Sequence, residues 1–334
     1  MAILEVNDLK QYFYIDPGLL ARTLARKQTS VIKAVDGLTF SLEPGEILGL
    51  AGESGCGKST ACMAISKLRE PTGGTIRFKG KDIVQMDKAE NQEYRRKVQL
   101  IFQDPYESLN PRFTVFDTVA EPLRALNIGT REDRRRMVME TLQLAGLKPD
   151  EYLDRYPHQM SGGERQRVGI ASALVLEPEL VIADEPVSML DVSIRASILD
   201  LIRSLSEQMN FTCIWVSHDL SILSNVSERL MIMYLGRTME LAPTRDLITD
   251  PLHPYAKALI AAVAIPDPTY RRPIPNIRGE VSQPIDPPPG CRFQTRCTEV
   301  MNVCAEVEPP LIEAKPRHFV ACHLYRNAYN ESST

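Results

Sequence analysis

Apolar residues in the first hundred positions fall in short runs, partly alternating and partly continuous, each closed by turn formers. Runs at residues 3–6, 31–35, 38–42, 47–51, 75–78 and 98–102 predict strands. A basic stretch containing Leu and Ala, residues 16–30, interrupts them and reads as a surface excursion. Across residues 113–176 the apolar spacing lengthens to the three and four of a helix. There Thr130 and Asp133 form a capping box that opens one helix, Val138, Leu142 and Ala145 lie on its apolar stripe, and Gly146 is placed to end it. From residue 180 strands and helices alternate: 180–183 and 212–216 read as strands around a helix at 193–209, with a further strand at 230–234. Apolar strands separated by helices predict an α/β fold with a parallel sheet covered on both faces. Residues 265–290 are too rich in proline for regular helix, and a domain boundary is expected there. No internal repeat is visible, so a single copy of this fold is expected.

The first chemistry lies directly behind the 47–51 strand. Gly52-Glu53-Ser54-Gly55-Cys56-Gly57-Lys58-Ser59-Thr60 fits the phosphate-loop pattern G-x-x-x-x-G-K followed by Ser or Thr, and a helix-like stretch follows at 60–68. Glycines let such a loop curl, so that successive N–H groups face phosphate oxygens. The expected ATP-binding residues are therefore Gly52, Ser54, Gly55, Cys56, Gly57, Lys58, Ser59 and Thr60. Lys58 reaches the β- and γ-phosphates and the Ser59 hydroxyl ligates Mg2+. Cys56 fills a variable position and is assigned no chemistry. The apolar strand 180–183 delivers Asp184 to its carboxyl end, where it is expected to hold Mg2+, and the adjacent Glu185 to orient and polarise the attacking water.

Composition removes other classes. The net charge is −4 over 334 residues, so no basic footprint for nucleic acid exists. No apolar run reaches the ~18 residues needed to cross a bilayer. The longest, 174–183 and 258–265, read as buried core. Residues 1–9 carry Glu5 and Asp8 and lack a basic-then-apolar leader pattern. The expectation is a peripheral protein on the cytoplasmic side of the cell membrane, reaching the membrane through partners. In that compartment the seven cysteines read as thiols or metal ligands rather than disulfides.

Ser161-Gly162-Gly163-Glu164-Arg165-Gln166-Arg167 narrows the class. A serine and two glycines at a helix start form an anion site or, more plainly, an N-cap. The segment resembles the signature motif L-S-G-G-Q of ABC ATPases, with Met160 for Leu and Glu164 for Gln. Other motifs of that family follow in order. Gln103 resembles the glutamine that senses Mg2+ and the membrane partner. Ser188-Met189-Leu190-Asp191 resembles the D-loop. His218 resembles the switch histidine at the γ-phosphate. Phe13 or Tyr12, beside Tyr14, matches the aromatic that stacks on adenine. The resemblance implies Glu185, His218, Gln103 and Lys58 as catalytic residues and Ser59, Gln103 and Asp184 around Mg2+. It also implies that Ser161, Gly162, Gly163, Glu164 and Asp191 act in trans on a partner's ATP within a head-to-tail dimer. ATP would favour the closed dimer over the open one, and hydrolysis would release it.

His253-Pro254-Tyr255-Ala256-Lys257-Ala258-Leu259 resembles the H-P-Y-x-x-x-L segment of oligopeptide/dipeptide importer ATPases. Pro287 to Phe293, Val320 to His323, Tyr234 to Arg237 and Asn110 to Arg112 are similar to the same family. Cys291, Cys297, Cys304 and Cys322 are spaced C-x5-C-x6-C-x17-C, without the short knuckle usual for zinc. The residues themselves suit a structural zinc, an iron–sulfur cluster or free thiols. The family resemblance points to a 4Fe–4S cluster. The organisation expected is a P-loop ABC ATPase cassette at residues 1–265, with parallel core sheet, antiparallel β subdomain and a helical signature subdomain at about 104–176. A cysteine-containing extension at 266–334 follows. The partners implied are a second, paralogous ATPase subunit in a heterodimer, two membrane permease subunits and an extracytoplasmic substrate-binding protein. Peptides are the default cargo. Nickel, glutathione or oligosaccharide importers, and a soluble ABC ATPase unconnected with transport, are the alternatives.

Overall fold

A computed structural model describes residues 1–15, 30–104, 106–263, 277–279 and 285–325. The excursion expected at 16–30 lies outside these except for Ser30, as does most of the proline-rich segment together with the boundary expected at 265. The chain forms two compact units, one from Met1–Leu4, Leu42–Ile47 and Phe78–Val216, the other from Glu5–Ser41, Leu48–Arg77 and Ser217–Thr334.

In the first unit, Thr212–Ser217, Leu180–Asp184 and Val98–Ile101 pair in parallel in that order, with Leu180 opposite both Thr212 and Val98. Every residue of Leu180–Asp184 and Thr212–Ser217 is buried, as strands covered on both faces require. Three helices, Val115–Ala125, Arg131–Leu144 and Gly162–Leu174, share a core that includes Val119, Leu123, Val138, Leu142, Met160 and Val168. The expected capping box at Thr130 is present: its hydroxyl accepts from the Asp133 N–H at 3.2 Å, and the Asp133 carboxylate accepts from the Thr130 N–H at 3.1 Å. The signature departure at Met160 is a packing choice, since the side chain is buried in that core and Met conserves the bulk of Leu.

In the second unit, Ser30–Leu42, Leu4–Ile15 and Gly73–Phe78 lie side by side in that order. The separate runs read at 31–35 and 38–42 are one strand through Gly37, whose φ of +95° suits only glycine. A second sheet runs Ile47–Ala51, Arg229–Tyr234, Arg237–Pro243, His318–Val320, Ile312–Lys315. The first pair is parallel and the others antiparallel. His318–Val320, between Cys304 and Cys322, therefore hydrogen-bonds to Arg237–Pro243, which precedes the proline-rich segment. Glu240, fully buried on Arg237–Pro243, knits them together. Its carboxylate accepts from the N–H groups of Leu252 and His253 at 2.9 and 2.7 Å and faces His318 Nε2 at 2.6 Å.

Candidate functional site

The phosphate loop is built by contrast between a rigid strand and a permissive turn. Ile47–Ala51 is wholly buried and paired with Arg229–Tyr234, so the chain leaves the sheet at a fixed point. Gly52 leaves it at φ +152°, where a Cβ would collide with the carbonyl oxygen of Met233. Gly57 sits at φ +102°, where a Cβ would run into the carbonyl oxygen of Ala34, and it caps Lys58–Ile65. A glycine cap has no side chain to offer, so the first-turn N–H groups keep their pull on an anion. Ser54 and Gly55 are exposed at the tip, while Ser59 and Thr60 are half-buried in the first turn. Lys58 is buried, its ammonium donating to the carbonyls of Gly52 at 2.7 Å and Glu53 at 3.1 Å. Cys56 is buried beside it, and burial pushes its thiol pKa up despite the lysine.

Three features around this loop escaped the sequence. The Tyr255 hydroxyl accepts from the Glu53 N–H at 3.1 Å. Arg296 holds the Glu53 carboxylate with both terminal nitrogens, at 2.7 and 3.2 Å. Asp36 is gripped by Arg292, Arg237 and the Tyr12 hydroxyl. Burial would raise the Asp36 pKa, but the hydroxyl and the two guanidinium groups outweigh it and hold the carboxyl below its usual range. No local pattern links residues this far apart in sequence; only the repeated arginines beside Cys291 and Cys297 offered a signal.

The aromatic candidates separate. Tyr12 is tied through its hydroxyl to Asp36, and burial first, then that bond, raises its pKa. The Phe13 ring is covered by the Arg69 guanidinium at 4.8 Å, and Tyr14 is exposed.

In the first unit, the acidic pair ends its strand as expected. Asp184 is the last, buried residue of Leu180–Asp184. Glu185 turns the chain at φ +47°, a conformation rare for a side-chain-bearing residue, with its N–H on the Val216 carbonyl at 3.0 Å. The Gln103 amide donates to the Glu185 carboxylate at 3.2 Å, across 82 positions of sequence. Asp191 occupies the N-cap of Val192–Met209 without a side-chain bond to its first turn; its carbonyl accepts from the Ile194 and Arg195 N–H groups at 3.0 and 2.9 Å. In the second unit, His218 follows Ser217 and is exposed; Asp219 beside it caps Leu220–Val226.

The signature serine caps Gly162–Leu174 in a complete capping box. Its hydroxyl accepts from the Glu164 N–H at 3.3 Å, and Glu164 accepts from the Ser161 N–H at 2.7 Å. The Tyr152 hydroxyl also donates to Glu164, and with the Ser161 N–H it holds that carboxyl below its ordinary pKa. Gly163 is buried against Ile194, where a Cβ would meet Cγ2 at 2.6 Å. Within one chain, then, Ser161 and Glu164 are engaged with each other.

No two of the seven cysteines are joined in a disulfide. The Cys291 N–H donates to the Cys304 carbonyl at 2.8 Å. Burial, then the neighbouring thiols, pushes Cys291 up to about 12, and Cys322 is likewise raised to about 11. Among the described residues no group of three or more His, Cys, Asp or Glu is arranged to hold a metal ion. The four thiols lie within electrostatic reach of one another without forming a finished ligand set.

Comparison with known proteins meets this geometry. Residues 35–188 match the ABC transporter family, and residues 239–304 match the oligopeptide/dipeptide transporter C-terminal region. The chain is 47% identical over 326 residues to the oligopeptide transport ATP-binding protein AppF of Bacillus subtilis, covering 97% of each. It is 45% identical over 323 residues to the oligopeptide transport ATP-binding protein OppF of Salmonella typhimurium, covering 96% of this chain and 95% of that one. The dimeric post-hydrolysis ATP-binding cassette MJ0796 bound to ADP and Pi superposes with a TM-score of 0.62 at 27% identity, over 72% of this chain and 99% of that one. The cassette cbiO1 of Clostridium perfringens, part of an ABC transporter complex, gives 0.62 at 26%, over 75% and 91%. The chain therefore belongs to the ABC transporter family, as an ATP-hydrolysing, ATP-binding subunit of the oligopeptide/dipeptide transport type.

Proposed function

We propose that this subunit powers import of short peptides by binding and hydrolysing ATP on the cytoplasmic side of a membrane that its permease partners cross. One observation carries the reading: the cassette match and the oligopeptide-type C-terminal match lie on one polypeptide whose relatives align end to end with it. No helix among the described residues is long and apolar enough to cross a membrane, which leaves the crossing to partners. Two permease subunits, a substrate-binding protein and a paralogous second ATPase in a heterodimer complete the proposed assembly. As sequence modules, residues 1–265 are the cassette and 266–334 the extension.

In the reaction, residues 52–60 cradle the phosphates and Lys58 turns from its carbonyl partners to the β- and γ-phosphate oxygens. Phe13 or Tyr12 stacks on adenine. Ser59, Asp184 and the Gln103 amide oxygen are hard oxygen donors suited to Mg2+, whose charge would neutralise the transferring phosphate. Glu185 orients the attacking water and accepts its proton, the Gln103 N–H steadies that carboxylate, and His218 contacts the γ-phosphate. Ser161, Gly162, Gly163, Glu164 and Asp191 serve the partner's nucleotide. For that, the signature helix end must face an anion its own chain does not supply.

The finer cofactor reading is a 4Fe–4S cluster on Cys291, Cys297, Cys304 and Cys322, structural in role. The four cysteines cluster closely enough that burial and then the neighbouring thiols raise the pKa of Cys291, Cys297 and Cys322, which supports it, and it requires the four to close in and lose protons on binding.

The deciding experiment is purification of the intact complex. Permease subunits should accompany the chain, and ATPase activity should rise with peptide-loaded binding protein. Stimulation by nickel, glutathione or an oligosaccharide and not by peptide would replace the cargo, and a chain that never associates with permeases would remove the transport reading.

A further inference from the structure

Glu53 occupies a variable position of the phosphate loop, yet it is held from two distant parts of the chain. Its carboxylate receives two N–H groups of Arg296 at 2.7 and 3.2 Å, 243 residues further along the chain. Its own N–H is received by the Tyr255 hydroxyl at 3.1 Å, 202 residues away. The two holders are themselves fixed. The Tyr255 ring is fully buried and meets Tyr234 edge-on at 4.8 Å and Phe293 at 5.2 Å. The Arg296 guanidinium lies over the rings of Tyr234 and Phe293 at 5.6 and 6.0 Å. His253, fully buried, receives the Tyr255 N–H at 3.0 Å and so sets the start of that helix. A planar guanidinium on a carboxylate fixes direction as well as distance. The Glu53 carbonyl on the same residue accepts the Lys58 ammonium at 3.1 Å. The orientation of the Glu53 peptide thus bears on where the lysine rests.

We propose that Arg296 and Tyr255 are positioning residues for nucleotide binding: they clamp Glu53, and through it the phosphate loop, Arg296 from the cysteine-bearing extension and Tyr255 from the helix Pro254–Ala262. Arg296 stands next to Cys297 and accepts no role in the chemistry itself; it acts through Glu53. The inference rests on the reading of residues 52–60 as the phosphate cradle. Coupling of this kind is reciprocal. If the clamp preorganises the loop for ATP, bound ATP holds the clamp shut and quiets the segment around Arg296 and Cys297. The extension would then register whether the site carries nucleotide.

The test is a double-mutant cycle, reading ATP affinity of the purified chain by calorimetry and steady-state kcat and KM of the intact complex. Arg296→Gln and Glu53→Gln should each weaken ATP binding about tenfold, with KM rising and kcat little changed. The double variant should be no worse than the weaker single, because both remove one contact. Arg296→Lys, which keeps the charge and loses the fork, should fall between. Tyr255→Phe should weaken binding by a smaller factor and serves if Arg296→Gln does not fold. Hydrogen exchange of the peptide spanning residues 291–300 should slow when ATP and Mg2+ are added to the wild-type chain, and not in Glu53→Gln. Unchanged ATP affinity in folded Arg296→Gln and Tyr255→Phe, strictly additive losses in the cycle, or exchange indifferent to ATP would each overturn the clamp. Wild-type protein that does not bind ATP, or a Lys58→Ala variant that binds it normally, would instead overturn the cradle reading.

Discussion

Glu185 and Lys58 carry the sharpest residue-level predictions. Glu185 turns at φ +47° with Gln103 on its carboxylate, so its position is fixed by backbone and neighbour together. Glu185→Gln keeps size and turn but removes the proton acceptor. ATP binding should persist while turnover falls ~10²–10⁴-fold, and the variant should accumulate as an ATP-bound dimer with its partner. A fully active variant would assign the base elsewhere. Lys58→Ala should lose ATP affinity and hydrolysis together, since the ammonium serves the phosphates before and during transfer; calorimetry showing undiminished binding counts against that role. The sequence named both residues because their motifs are contiguous. It could not name Glu53, which owes its importance to side chains more than two hundred positions away.

At the scale of elements, two helix starts can be tested. Gly162–Leu174 begins with a reciprocal bond between Ser161 and Glu164. Glu164→Gln preserves the box and should leave thermal stability nearly unchanged, whereas Glu164→Ala should cost about 1 kcal/mol in a melting experiment. Ser161→Arg should spare nucleotide binding by the isolated chain and block the closed dimer; a monomer that no longer binds ATP would sink the in-trans reading. The second start is Pro254–Ala262, capped by His253. Burial holds this histidine neutral, its pKa lowered to about 3 from 6.5. The sign is plain: between those values the unfolded chain binds a proton that the folded chain refuses. Stability present above pH 6.5 should therefore fall on acidification, by up to about 1.4 kcal/mol per pH unit. Replacing His253 with Asn, which can still cap, should flatten that part of the pH–stability curve; an unaltered slope would exclude His253 as its source.

For the whole molecule, the extension's metal chemistry gives the remaining prediction. If Cys291, Cys297, Cys304 and Cys322 hold a 4Fe–4S cluster, anaerobically purified protein is brown and contains about four irons per chain. Cys304→Ser should bleach it and loosen the extension to proteases while ATP hydrolysis continues. Stoichiometric zinc without iron would keep the ligands and change the metal. Four cysteines freely alkylated in anaerobic native protein would remove both.

Much of this protein is local, and what is local was legible. The buried runs became Ile47–Ala51, Leu180–Asp184 and Thr212–Ser217 because continuous apolar stretches of that length have few other ways to hide. The Thr130 cap and the phosphate loop were readable because their partners lie within a few residues. Tertiary structure alone decided what depends on distant partners. It joined Gln103 to Glu185, tied Tyr12 to Asp36, and paired His318–Val320 with Arg237–Pro243. It also set Arg296 and Tyr255 on Glu53. The spacing of the four cysteines could suggest a shared centre. Only three-dimensional placement shows that the thiols influence one another without, among the described residues, converging into a metal-binding group. A hydrogen bond or a ligand set is a condition on directions in space, and sequence spacing constrains those directions only where the chain between the partners is short and regular.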